Sequence, residues 1–229
     1  MRLVLSGTAC QGKSTLIGEF LKKWDMYETP KNTYRSLIKG ENHSKLTNKE
    51  TQWSILNQMI DEIEKYSADD NVIFDRGPID NLIYSMWSYH KGATDIDELF
   101  IEKCIPVVRE SMKMLDIIFY IPITNASEST IDDDGTREVD VEYIKEIDNF
   151  FKAMHKNWMN GDTRFFPKED RAAMIEIFGS TDERMAMLGM YLADDGGEYG
   201  EDESLVDTSE LYDEFGFKMT GGTDSKKYE

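Results

Sequence analysis

Cysteine, histidine and proline are scarce in this chain of 229 residues, which has two, three and five of them. Two cysteines are too few for a disulfide framework, which removes the small secreted scaffolds and suits a reducing cytosol. His43, His90 and His155 share no spacing that makes a metal site, and Cys10 with Cys104 adds none. No apolar run approaches the ~20 residues that cross a bilayer. A strand-like segment at residue 1 leaves no room for a secretory signal, so we expect a soluble, cytoplasmic protein without a membrane partner. Positive charge is the minority, with 26 Lys and Arg against 45 Asp and Glu and a net charge of −19. Residues 194–229 carry 12 acids against three lysines, which is −9 of that total, and the body holds the remaining −10. A long, non-specific track for duplex nucleic acid is disfavoured, because such binding neutralises phosphates with cations. Only a local basic pocket is left open.

What is present begins almost at once. Arg2 to Ser6 reads as a strand with the apolar run Leu3-Val4-Leu5, and Leu16, Ile17, Phe20 and Leu21 give helical spacing after residue 13. Between them Gly7-Thr8-Ala9-Cys10-Gln11-Gly12-Lys13-Ser14 fits G-x-x-x-x-G-K-[ST] at every fixed position. A solvent loop with two glycines is the bland alternative, but the strand before it and the helix after it are the context a phosphate-binding loop needs. Gly7 and Gly12 let the backbone curl so that N–H groups face an anion. Lys13 would reach the terminal phosphates, Ser14 would ligate Mg²⁺, and the helix start through Thr15 adds its positive end.

The length suits one α/β domain. Trp24 to Pro30 reads as a second strand closed by proline. Thr47 with Glu50 reads as a capping box opening a helix to about Tyr66. Asn71 to Asp75 reads as a strand ending in an acid, followed by the turn Arg76-Gly77-Pro78 and a helix from Ile79. Asp95 to Met114 reads as a helix with a kink or break at Pro106. Leu115 to Ile121 reads as a strand, Val141 to Trp158 as a helix, Met174 to Phe178 as a last strand, and Thr181 to Ala193 as a last helix. Strands alternating with helices predict a three-layer α/β/α arrangement around a parallel sheet. We expect one domain over 1–193, a lid at about 125–140, and an acidic tail over 194–229 that is disordered or loosely docked.

The chemistry gathers at strand ends. Asp75 stands where such a protein holds the acid that organises Mg²⁺, or where a base takes a proton from an acceptor hydroxyl; the alternative is a helix N-cap. Arg76 suits bidentate binding of a substrate phosphate, and a salt bridge to Asp75 or Asp80 is the alternative. Arg137, in the acidic segment Asp132-Asp133-Asp134, reads as a lid arginine or as mere neutralisation of its neighbours. Glu28 and Arg35 follow the second strand and are placed at the same sheet edge as acceptor-binding residues. Gln52 and Gln58 could read a base edge, although helical glutamine is more often surface. Trp53, Trp87 and Trp158 read as core rather than as a stacking platform.

Together the Gly7–Ser14 loop, Asp75-Arg76-Gly77-Pro78-Ile79-Asp80-Asn81, Asp134-Gly135-Thr136-Arg137 and Ile175 to Arg184 resemble the nucleoside and nucleotide kinases of the P-loop superfamily. Closest is the AAA-type ATPase/kinase group that includes the nicotinamide riboside kinase domain, with thymidylate and deoxynucleoside kinases further away. The resemblance covers roughly 1–193. It implies a five-stranded parallel sheet of order 2-3-1-4-5, ATP and Mg²⁺ as cofactors, an acceptor site between Glu28, Arg35 and Asp75-Arg76, and a lid carrying Arg137. It also implies that Gly179-Ser180-Thr181 lies near the adenine. The chain departs from the family in having one clear lid arginine and acids beside it.

The expected activity is therefore transfer of the γ-phosphoryl group from Mg·ATP to a nucleoside or nucleoside monophosphate. Lys13, Asp75, Arg76 and Arg137 are its catalytic residues, Glu28, Arg35, Gln52 and Arg76 its acceptor-binding residues, and Ser14 and Asp75 its metal ligands. A kinase acting on a modified base or end of DNA and a regulatory P-loop ATPase are the alternatives. Size, acidity and divergence suit a bacteriophage nucleotide-metabolism enzyme. The oligomeric state is open, a homodimer being one option.

Overall fold

The computed structural model describes residues 1–31, 45, 47–124, 140–170 and 172–198. Arg2–Ser6 forms β1, and Lys13–Lys23 forms α1 behind an N-cap at Gly12, which adopts φ 70°. Then come α2 (Lys49–Glu64), β2 (Val72–Asp75), α3 (Pro78–Lys91) and α4 (Glu98–Ser111), which ends in a 3₁₀ turn over Met112–Met114. The chain continues through β3 (Ile117–Tyr120), α5 (Val141–Met159), β4 (Ala173–Glu176) and α6 (Thr181–Leu188). No helix among the described residues is long and apolar enough to cross a membrane.

The four strands are parallel and lie in the order β2-β1-β3-β4. Alternation along them divides the core. Val4, Phe74, Ile118, Tyr120 and Met174 point into one buried cluster with residues of α2, α3, α4 and α5. Leu3, Leu5, Ile73, Ile117 and Phe119 point into the other, with Leu16, Ile17 and Phe20 of α1 and Leu188 of α6. Successive side chains of a strand face opposite ways, so a sheet buried on both faces reads as unbroken apolar runs, as these strands do. The result is the expected three-layer fold. β1 lies between β2 and β3, so the loop leaving β1 emerges at the point where the connections diverge, where open α/β sheets place their ligands.

Some boundaries differ from expectation. The strand expected over Trp24–Pro30 is reduced to one parallel bridge, Glu28 with Val72, on the outer side of β2. Its position in the order is as predicted, but among the described residues the sheet has four full strands. Trp24 and Tyr27 turn into the core instead and donate to the carbonyls of Ala193 and Gly196. Hence the chain after α6 is docked as far as residue 198, and the remainder of the acidic segment lies outside the described residues. The cap of α2 is Asn48, which accepts from the Thr51 amide, while the Thr47 hydroxyl is buried and accepts from Gln52 Nε2. α4 runs through Pro106 without a break. α6 stops at Leu188, short of Ala193, and is capped by Ser180 and Glu183.

Candidate active site

The loop after β1 is shaped by positions that few residues tolerate. Gly7 has φ 134°, and a Cβ there would stand 2.7 Å from the Ile121 carbonyl oxygen. Only glycine allows the loop to pass so close to the end of β3. Cys10 and Gly12 also adopt positive φ, 58° and 70°. α1 then begins at Lys13 with no acid in its first turn, so nothing on the helix itself offsets its positive end. Lys13 is buried, and its ammonium group donates to the carbonyls of Gly7 (2.9 Å) and Thr8. The lysine thus spans the mouth of its own loop. Ser14 and Thr15 are exposed at the same end.

β2 delivers its acid to this loop. Ser14 Oγ donates to Asp75 Oδ2 at 3.4 Å, joining the residues singled out as metal ligands. Among the described residues no three His, Cys, Asp or Glu side chains are grouped to hold a metal. A hydroxyl and a carboxylate at the mouth of a phosphate loop nevertheless fit Mg²⁺, which uses few protein oxygens and completes its shell with water and phosphate. Arg76 follows in the left-handed region, at φ 77°, a strained conformation for a non-glycine residue. Its guanidinium is buried, donates to the Gly7 carbonyl (2.8 Å) and to Asp80 Oδ1 (3.2 Å), and lies over the Tyr84 ring.

Asp80 is the hub beneath. It is 1 % exposed and accepts from Ser6 Oγ (2.9 Å), Gly7 N (3.3 Å), Gly77 N (3.0 Å) and Arg76. Burial pushes its carboxyl up, while Arg76, the Gly77 amide, Lys13 and Ser6 hold it down. One carboxylate therefore ties β1, the phosphate loop and the Asp75-Arg76 turn together. In the sequence Asp80 had no role beyond a salt bridge to Arg76 and a place in the Asp75–Asn81 stretch. Its wider role depends on contacts 73 and 74 residues away, which no local pattern encodes.

Two further anchors fix the loop and its surroundings. Thr8 donates its hydroxyl to the Ile144 carbonyl of α5. Asp148 on the same helix accepts from the Tyr120 hydroxyl and the Ile123 amide and pairs with Lys152, which holds the exit of β3. Beside α1, an open groove against α6 is lined by Thr15, Glu19, Thr181, Asp182 and Met185, so it joins Thr15 to the Gly179-Ser180-Thr181 turn. Gly179 has φ 89°, and a side chain there would collide with the Glu183 carboxylate.

Other predicted residues fall elsewhere. Glu28 pairs with Val72 at the start of β2, not with its end, which puts it about 10 Å along the strands from Asp75. It faces Tyr66, whose phenol is raised by burial and by this carboxylate. Glu28 is therefore level with the start of β2 and not at the phosphate-loop edge, because the bridge forms late in the segment, at Glu28 itself, with no strand before it to carry the residue farther along β2. Gln52 is buried, not on the surface: its amide oxygen accepts from Asn81 Nδ2 (2.6 Å) and Ser85 Oγ (3.4 Å). Trp53, Trp87 and Trp158 pack against the α2–α5 core, as expected. Arg35 and Arg137 lie outside the described residues, as does most of the 125–140 segment.

No curated protein sequence matches the chain. Its fold matches a deoxyadenosine kinase from M. mycoides, solved with the products dCMP and a flexible dCDP, at 17 % identity and a TM-score of 0.57 over 82 % of this chain and 97 % of that one. The same kinase with bound dATP gives 18 % identity and a TM-score of 0.59 over the same shares. The NadR protein in complex with NR matches at 17 % identity and a TM-score of 0.53, over 76 % of this chain and 45 % of that one. These likenesses show a P-loop kinase fold. A family model described as AAA domain matches residues 2–168. Since that span covers the phosphate loop, the strand-end acid and most of the sheet, the chain belongs to the AAA domain family.

Proposed function

We propose that the protein is a Mg·ATP-dependent kinase that transfers the γ-phosphoryl group to a nucleoside or nucleoside monophosphate in the cytosol. The observation that carries this reading is the contact of Ser14 with Asp75 at the mouth of the Gly7–Ser14 loop. Phosphoryl transfer needs a phosphate cradle, a metal held in register and a positioned acceptor, with little covalent chemistry from the protein. Loop amides and Lys13 would hold the β- and γ-phosphates, and the helix end adds to their field. Ser14 and Asp75 would hold Mg²⁺, which would supply positive charge against the negative charge that develops on the phosphate in transfer.

The acceptor side is the region bounded by the Asp75-Arg76 turn and the α2–α3 wall. There the buried set Thr47, Gln52, Asn81 and Ser85 is hydrogen-bonded across the two helices, so the wall is fixed. Arg76 is held over Tyr84 with one nitrogen committed to Gly7 and Asp80, and its role is to present charge beside that wall. Asp75 has two roles open to it by position, metal organiser and acceptor base. The nucleoside-type ligands of the structural neighbours favour an acceptor of the same class. Arg35 and Arg137 remain part of the reading as acceptor and lid arginines.

The test is phosphate transfer from ATP, with Mg²⁺, to a panel of nucleosides, nucleoside monophosphates and short oligonucleotides measured side by side. Stoichiometric transfer to a free nucleoside or monophosphate is the expected result. Transfer to oligonucleotides alone would establish a nucleic-acid kinase. ATP hydrolysis unaffected by every acceptor would replace the reading with a regulatory ATPase.

A further inference from the structure

α6 carries a cation that its own surroundings do not explain. Arg184 is 7 % exposed, and its Nη1 donates to the Gln11 main-chain carbonyl at 2.6 Å. The same nitrogen lies 3.7 Å from the point where a Cβ on Gly12 would stand. The guanidinium therefore sits directly against the phosphate loop, 173 residues away in sequence. Its Nε is buried without a hydrogen-bond partner, and so is the neighbouring Gln11 Oε1.

Two penalties meet at this residue. A buried charge is costly unless it is paired, and among the described residues no carboxylate pairs with Arg184. Burial alone lowers its pKa, with no opposing contribution from an acid. Arg184 is also the fourth residue of α6, within the first turn, where the helix field disfavours a cation, and Asp182 and Glu183 of that turn form no ion pair with it. An anion on the phosphate loop relieves both. The bond to Gln11 has a second consequence: the Gln11–Gly12 peptide is planar and trans, so a carbonyl held toward Arg184 turns the Gly12 N–H to the opposite side.

We propose that Arg184 is a positioning residue of the donor site, a fixed guanidinium that orients the Gln11–Gly12 peptide and has the polyphosphate of the bound nucleotide as its counter-charge. This rests on the phosphate-loop reading and goes beyond it. It assigns the donor site an arginine built into the rigid fold, in addition to any supplied by the 125–140 segment.

The test compares the full chain with R184Q and R184K by calorimetric titration with Mg·ATP and with inorganic tripolyphosphate, and by thermal unfolding without ligand. R184Q should fold and melt no lower than the unsubstituted chain, since it removes an unpaired buried cation. Its affinity for ATP and for tripolyphosphate should fall by the same factor, about tenfold or more, and R184K should recover part of that loss. Unchanged affinity for both ligands in R184Q would overturn the proposal. A loss confined to ATP would overturn it too, because it assigns Arg184 to the base. Failure of R184Q to fold would show that the cation serves the fold. If the unsubstituted chain binds neither ligand, it is the phosphate-loop reading that falls, a result distinct from the others.

Discussion

The two ends of the same parallel sheet handle polar groups in opposite ways. Where the strands end, Ser6, Thr8, Lys13, Arg76 and Asp80 are all buried, and their hydrogen bonds run to one another, to loop carbonyls and to the Ile144 carbonyl of α5. Where the strands begin, the polar groups stay near solvent. The N-terminal ammonium donates to Asp70 and Asn71, the Arg2 amide to Asp116, and Glu28 meets Tyr66. Burying charge is costly, and the costs are concentrated at one end. A fold that needed only stability would have no reason to accumulate them there. The difference supports the proposed site at the strand ends and a structural part for the strand starts.

Lys13→Ala should make the largest difference between the edges. It removes the cation nearest the proposed terminal phosphates, and kcat/KM for ATP-dependent transfer should fall on the order of 10²–10³-fold or more. Steady-state kinetics at saturating acceptor measures this, and full activity in the variant would end the assignment. Next in size is Asp80→Asn, whose effect is on stability. The substitution leaves Arg76 buried without its carboxylate and turns an amide group toward the Gly7 and Gly77 N–H donors. Urea unfolding should show a loss of about 3–5 kcal/mol. A loss below about 1 kcal/mol would mean that the network is not the unit described above.

A third and smaller effect separates the two candidate caps of α2. Asn48→Ala should cost about 1 kcal/mol, the usual worth of an N-cap side chain, with little change in activity. The residues explain why the sequence pointed to Thr47 instead. Both are good caps and Glu50 favours Thr47 by local pattern, but the Thr47 hydroxyl is taken by Gln52 in a buried contact that a local reading cannot see. The same boundary runs through the whole molecule. The phosphate loop, the apolar runs of β1, β2 and β3 and the acid at the end of β2 were legible, because each is a short-range pattern. Asp80 as hub was not, because its partners come from β1 and the loop, and neither was Arg184. One sign of Arg184 was available, a cation in the first turn of a helix, against the local field.

The smallest expected effect is the most direct check on the comparison. Glu28 looked like an acceptor-binding residue because it stands near the proline-closed end of a strand-like segment, and a full strand there would have carried it toward the Asp75 edge. Instead only Glu28 itself pairs, with Val72, and the chain is drawn into the core by Trp24 and Tyr27. That places the carboxylate level with the start of β2, where it can accept from the Tyr66 hydroxyl but lies far from Ser14 and Asp75. Glutamine keeps an acceptor for Tyr66, so Glu28→Gln should leave kcat and KM within about twofold and stability within about 0.5 kcal/mol, as for a surface change away from special features. Parallel kinetics and unfolding of Glu28→Gln and Lys13→Ala read both edges on one scale. A tenfold loss of kcat in Glu28→Gln would mean that the strand starts share in the chemistry, and the division between the two ends of the sheet would no longer hold.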